Sequence, residues 1–120
     1  MNNEAHNLGA AALVAMEVKP VALPVVAPLT SAECVAEVRR LAKRWVRLYR
    51  GKEHGGPEES SLCSILNGLC NESDNFDAKD LRWLRPEDRC AVLRIMESLF
   101  TDHVYASTLN RVWDEEGRKA

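Results

Sequence analysis

Glycine and proline are scarce in this chain of 120 residues, six and five respectively. So few turn formers beside long helical periods argue against an all-β fold. No C-x-x-C pair joins the four cysteines, Cys34, Cys63, Cys70 and Cys90. The close ligand pairs that pre-organise a zinc tetrahedron are therefore missing, and neither a metal nor any other cofactor is expected. The chain is also too long and too poor in cysteine for a secreted disulfide scaffold. Four buried or half-buried thiols in a reducing cytoplasm are the expectation. No long hydrophobic run spans a bilayer: the longest low-charge stretch, Pro20 to Glu33, carries three prolines, and no membrane partner is expected. An excess of one charge is missing too. Sixteen Lys+Arg against eighteen Asp+Glu leave a formal charge of −2, which argues against a histone-like nucleic-acid binder but allows a local basic patch.

The N-terminal residues carry no export signal. Leu8 to Met16 is apolar but short, and the residues before it include Glu4 and no Lys or Arg, so the positive n-region of a signal peptide is absent. Without export the acceptor triplet Asn71-Glu72-Ser73 has no meaning. The chain reads as cytoplasmic.

What is present is helical. Pro20, Pro24 and Pro28 fix the backbone at every fourth residue, so 1–29 is expected to be a flexible or extended arm, able to dock through Val21, Leu23, Val25 and Val26. A single helical domain is expected over 30–116, with 117–120 as a tail. Thr30-Ser31-Ala32-Glu33 is a capping box that opens a helix over 31–50, and Gly51 stops it. Cys34, Val35, Val38, Leu41, Ala42, Trp45, Val46, Leu48 and Tyr49 cover one side of that helix, and basic residues cover the other. Pro57 with Glu58 and Glu59 starts a second helix, whose stripe is Leu62, Ile65, Leu66 and Leu69. Asp77 caps a short turn over 78–84. Pro86 starts a helix over about 86–100, with Cys90, Leu93, Met96, Leu99 and Phe100 inward and Val92 and Ile95 on its flanks. Ser107 caps a last helix carrying Leu109, Val112 and Trp113. The fold expected is all-α, a compact bundle of four to five helices.

Catalytic chemistry has no foothold. There is no phosphate-binding glycine loop, no G-x-S-x-G and no H-E-x-x-H. Glu53-His54 lies in a glycine-flanked loop with no nucleophile beside it, and His103 sits in a helix-joining turn. Glu58/Glu59 and Glu115/Glu116 read as exposed charge rather than as a carboxylate dyad. No catalytic residue is assigned.

The sharpest signal is electrostatic asymmetry. From Arg39 to Lys52 there are seven basic residues and no acidic one; from Glu53 to Asp80 there are seven acidic residues and one basic. Arg39, Arg40, Lys43, Arg44, Arg47 and Arg50 form the basic face of helix 31–50. It reads either as a solvated face paired with the acids of the next helix, or as a docking surface for an acidic protein partner. Binding of nucleic acid along the same face is the alternative, and the helix–turn–helix-like run from 86 to Arg111 is a weaker one, because Asp114, Glu115 and Glu116 repel phosphate. Trp83, between Arg82 and Arg85, is a lid over the core or an interface anchor.

The segment Phe76-Asp77-Ala78-Lys79-Asp80-Leu81-Arg82-Trp83-Leu84, with the later turn His103-Val104-Tyr105-Ala106-Ser107-Thr108-Leu109, resembles an uncharacterised family of small bacterial helical proteins, a domain of unknown function. The resemblance covers about residues 35–110. Leu69-Cys70-Asn71 stands where that family has Trp-Trp-Asn, and Trp83 falls one place later than its Leu-Trp. The resemblance implies an all-α fold and a bacterial or mobile-element setting, and transfers no site residue. The reading is a non-enzymatic adaptor or inhibitor-like protein, docking an acidic protein or self-associating.

Overall fold

The computed structural model describes residues 26–71 and 74–120. Among these residues, four α-helices and one 3-10 helix form the bundle: α1 (Ser31–Arg50), α2 (Pro57–Cys70), the 3-10 helix (Ala78–Trp83), α3 (Pro86–Phe100) and α4 (Ala106–Gly117). No strand occurs among the described residues. The expected docking residues Val21, Leu23 and Val25 lie outside them, as does the rest of 1–25.

The capping box forms as the sequence predicts. Thr30 Oγ1 accepts from the Glu33 N–H at 3.1 Å, and Glu33 Oε1 accepts from the Thr30 N–H at 2.9 Å. These bonds hold the Glu33 carboxyl below its ordinary range. α1 is the central element, packing on α4, α2 and α3, while α2 also meets α4 and the 3-10 helix. Val38, Leu41, Ala42, Trp45 and Leu48 of α1 close on Leu62, Ile65 and Leu66 of α2, Val92 and Ile95 of α3, and Leu109 and Val112 of α4 in one core. Leu29, assigned to the arm, belongs to that core too. Ser98, fully buried on α3, ties it there: its Oγ accepts from the Leu29 N–H at 2.6 Å and donates to the Leu29 carbonyl at 2.8 Å.

Gly68 lets the chain after α2 press close. A Cβ there would lie 2.6 Å from the Phe76 ring, well inside van der Waals contact. Phe76 uses this space to pack on the core.

Three expectations are corrected. α3 is rotated from its predicted phase: Ala91, Val92 and Ile95 are buried with Asp88 and Ser98, whereas Cys90, Leu93 and Phe100 are exposed. Two buried polar side chains, each with partners on other segments, take the inward face in place of the longer apolar stripe. Cys90 is therefore a surface thiol rather than a buried one. Glu59 and Glu116, read as solvated, are buried because each has hydrogen-bond donors beside it. α4 begins at Ala106 with Tyr105 as its N-cap, so Ser107 is not the cap. Asp102 in the preceding turn takes a left-handed conformation, φ 60°, which a short polar side chain tolerates.

Candidate functional site

The basic face of α1 divides in two. Three of its guanidinium groups, those of Arg39, Arg40 and Arg44, are engaged within the molecule. Arg39 Nη1 donates to Glu115 Oε1 and Glu116 Oε2 of α4, both at 2.8 Å. Arg40 Nη1 reaches Asp88 Oδ1 of α3 at 2.6 Å, while its Nε and Nη2 hold Glu37 at 3.0 and 2.8 Å. Arg44 grips Glu58 of α2 through Nε at 2.9 Å and Nη2 at 3.1 Å, the forked geometry that arginine supplies and lysine does not. These pairs fasten α1 to each of its three neighbours.

Two of the carboxylates are buried, and their titration follows from their surroundings. Burial alone would raise Asp88; hydrogen bonds from Arg85 and Arg40 outweigh it and hold the carboxyl below its ordinary range. Glu116 follows the same pattern. Burial would raise it, and Lys119 with Arg39 brings it down.

The other three cations of the face, Lys43, Arg47 and Arg50, make no salt bridge among the described residues, and all three are exposed. Their spacing, four and then three residues, sets them in one row along the helix. Half-buried Val46 lies between them, and Lys119 joins from beyond α4. Lys43, Val46, Arg47, Glu116 and Lys119 line a shallow groove of about 240 Å³. Its walls are cationic and its floor is apolar. The single carboxylate in it, Glu116, is already held by Arg39 and Lys119.

Of the expected site residues, then, Lys43, Arg47 and Arg50 face solvent together, and Arg39, Arg40 and Arg44 work as internal ties. Trp83 is half exposed and sits on a separate element, the 3-10 helix against α2. Sequence reasoning missed Lys119, which it assigned to a tail. No periodic pattern links position 119 to position 43, and only the packing of α4 on α1 brings them together.

His54 and His103 hold local structure. The ring Nδ1 of His54 lies 2.7 Å from the Tyr49 carbonyl, and that of His103 lies 2.7 Å from Thr101 Oγ1. Among the described residues no three His, Cys, Asp or Glu side chains converge as a metal site would need, and no helix is long and apolar enough to cross a membrane. Asn110, in the helix–turn–helix-like run from 86 to Arg111, lines a cleft with Asp74, Asp114 and Arg118, where Arg118 already pairs with Asp114 at 2.7 Å. No family model, curated protein or solved structure matches this chain.

Proposed function

We propose that the protein is a non-enzymatic interaction module, an adaptor or inhibitor-like chain, that docks an acidic protein partner on the outer face of α1. One observation supports this above the rest. Lys43, Arg47 and Arg50 stand in a row without salt bridges among the described residues, beside an apolar-floored groove that Lys119 flanks. Three neighbouring arginines of the same helix have found carboxylates inside the molecule, so the cations left without salt bridges share one row of the helix surface. Such a surface steers an acidic partner and offers its side chains an apolar seat. A cytoplasmic location and a bacterial or mobile-element setting belong to the same proposal, the latter resting on the resemblance of 76–84 and 103–109.

The test is affinity capture of the tagged chain with nuclease-treated host lysate, beside the variant carrying Lys43→Glu, Arg47→Glu and Arg50→Glu. An acidic protein is expected at stoichiometric yield from the first and lost from the second, with an unchanged thermal melt. Capture indifferent to the charge reversal would overturn the reading. Material that disappears with nuclease treatment, and whose binding falls steeply with salt, would replace the protein partner with nucleic acid.

A further inference from the structure

We infer that a second copy of this chain docks on the outer face of α3, the two helices running antiparallel. The face is the stripe that the core left unused. Taken at about 100° per residue, Arg89, Cys90, Met96, Glu97 and Phe100 all fall within about 60° of Leu93. Leu93 is 39% exposed and Phe100 74%. Phe100 is the most exposed of the large hydrophobic side chains in the described residues. Met96 is half-buried beside them, and Cys90 is open to solvent. The residues Val26–Leu29 border the stripe at its Cys90 edge, where Leu29, Cys90 and Arg94 line one depression and Arg94 Nε donates to the Ala27 carbonyl at 3.0 Å, and they leave Leu93 and Phe100 exposed.

The charges on the stripe point to the occupant. Arg89 precedes Leu93 by four residues and Glu97 follows it by four. Neither makes a salt bridge among the described residues; Arg89 reaches only the Leu81 carbonyl, at 3.2 Å. At ~1.5 Å per residue they stand about 12 Å apart along one helix, too far to satisfy each other. An antiparallel copy reverses the order. Leu93 and Met96 of one protomer then pack on Met96 and Leu93 of its partner. Each Phe100 ring lies over the stem of the opposite Arg89, and each Glu97 comes within reach of the opposite guanidinium. One face thus supplies both halves of an isologous contact, with apolar residues at the centre and opposite charges on either side. A single helix pair is small by the standard of specific interfaces, below about 1,200 Å² in total, so the dimer forms reversibly at high concentration.

Sedimentation equilibrium of the full chain, from low micromolar to near-millimolar concentration, is the experiment. The mass is expected to rise from 13.4 kDa toward twice that value, and Leu93→Glu with Phe100→Ser is expected to remain monomeric throughout. Both side chains are on the surface, so circular dichroism should show an unchanged fold. Arg89→Glu alone and Glu97→Arg alone should each be monomeric, because each places like charges opposite one another. Mixing the two restores both ion pairs and with them the dimer. A wild-type chain that stays monomeric throughout overturns the inference. So does a dimer that survives Leu93→Glu with Phe100→Ser, or a mixture that does not reassemble. Reversal of Lys43, Arg47 and Arg50 should leave the mass unchanged, which separates this face from the one on α1.

Discussion

Arg40 of α1 and Asp88 of α3 are 48 residues apart in sequence and meet at 2.6 Å. The carboxylate is fully buried, while the guanidinium keeps part of its surface in water. Arg85 closes on the other Asp88 oxygen at 2.9 Å, so a charge that the interior would reject is stabilised from two sides.

Removing one of those sides should be costly without being fatal. Arg40→Met is expected to destabilise the fold by about 1–2 kcal/mol, because Arg85 remains and water reaches the vacated side. Asp88→Ala should cost more, leaving two cations without their carboxylate and a void beneath them. Chemical denaturation of both variants measures the difference.

The same carboxylates set the acid limit. Asp88, Glu116 and Glu33 all titrate below their ordinary values of 3.8, 4.5 and 4.5 in the folded chain. Their stabilisation is therefore fully present above those values, where both folded and unfolded forms are ionised. It is lost as pH falls through the lower, folded-state pKa values, because the unfolded chain takes up protons first. The melting temperature should be flat down to about pH 5 and decline below it, and Asp88→Asn should make the decline shallower.

Glu59 should behave as an internal acceptor. Its carboxylate takes the Trp45 indole N–H at 2.7 Å and the Gly55 N–H at 2.9 Å. Glu59→Ala leaves a buried indole donor without a partner, at a cost of about 1–3 kcal/mol. Glu59→Gln, keeping one oxygen, should fall between. Tryptophan emission alongside urea midpoints reports both effects.

Gly68→Ala tests the close approach of the 3-10 connection. The added methyl meets the Phe76 ring, and the loss should be about 1–3 kcal/mol, as for overpacked cores. Phe76→Leu in the same background should recover part of it; an undiminished midpoint for Gly68→Ala would show that the ring moves aside freely.

Thiol chemistry should rank the cysteines by exposure. Cys90 is on the surface, Cys63 is half-buried, and Cys34 and Cys70 are interior. Burial pushes Cys70 up to about 12 and raises Cys34 and Cys63 as well, which suppresses the reactive thiolate. A thiol-specific disulfide reagent at neutral pH should show one fast equivalent, abolished by Cys90→Ser, one slower equivalent from Cys63, and two that wait for unfolding.

Much of this architecture is written locally. α1 was legible because its apolar and basic residues separate cleanly around the helix and Thr30 and Glu33 lie at the spacing of a reciprocal cap. Pro57 and Pro86 marked the next two long helices by the same local chemistry. α3 was misread because it carries two apolar stripes. Periodicity alone favours the one containing Leu93 and Phe100, yet the choice is made by Asp88 and Ser98, whose partners Arg40 and Leu29 are far along the chain. Glu59 and Glu116 went the same way: a carboxylate reads as surface until a distant donor is brought to it. For the basic face, the sequence supplied the row of charges and could not say which of them were already taken.

The bond between Leu29 and Ser98 has a consequence for synthesis. The two residues are 69 apart, so during translation Leu29 leaves the ribosome long before its tether exists. α1 can coil as soon as it emerges, since its cap is local, but its first turn has no seat until α3 is clear of the exit tunnel. The start of the bundle is thus completed only after α3 has been made, and a nascent chain arrested short of Ser98 would carry α1 with its lead-in segment still unfastened.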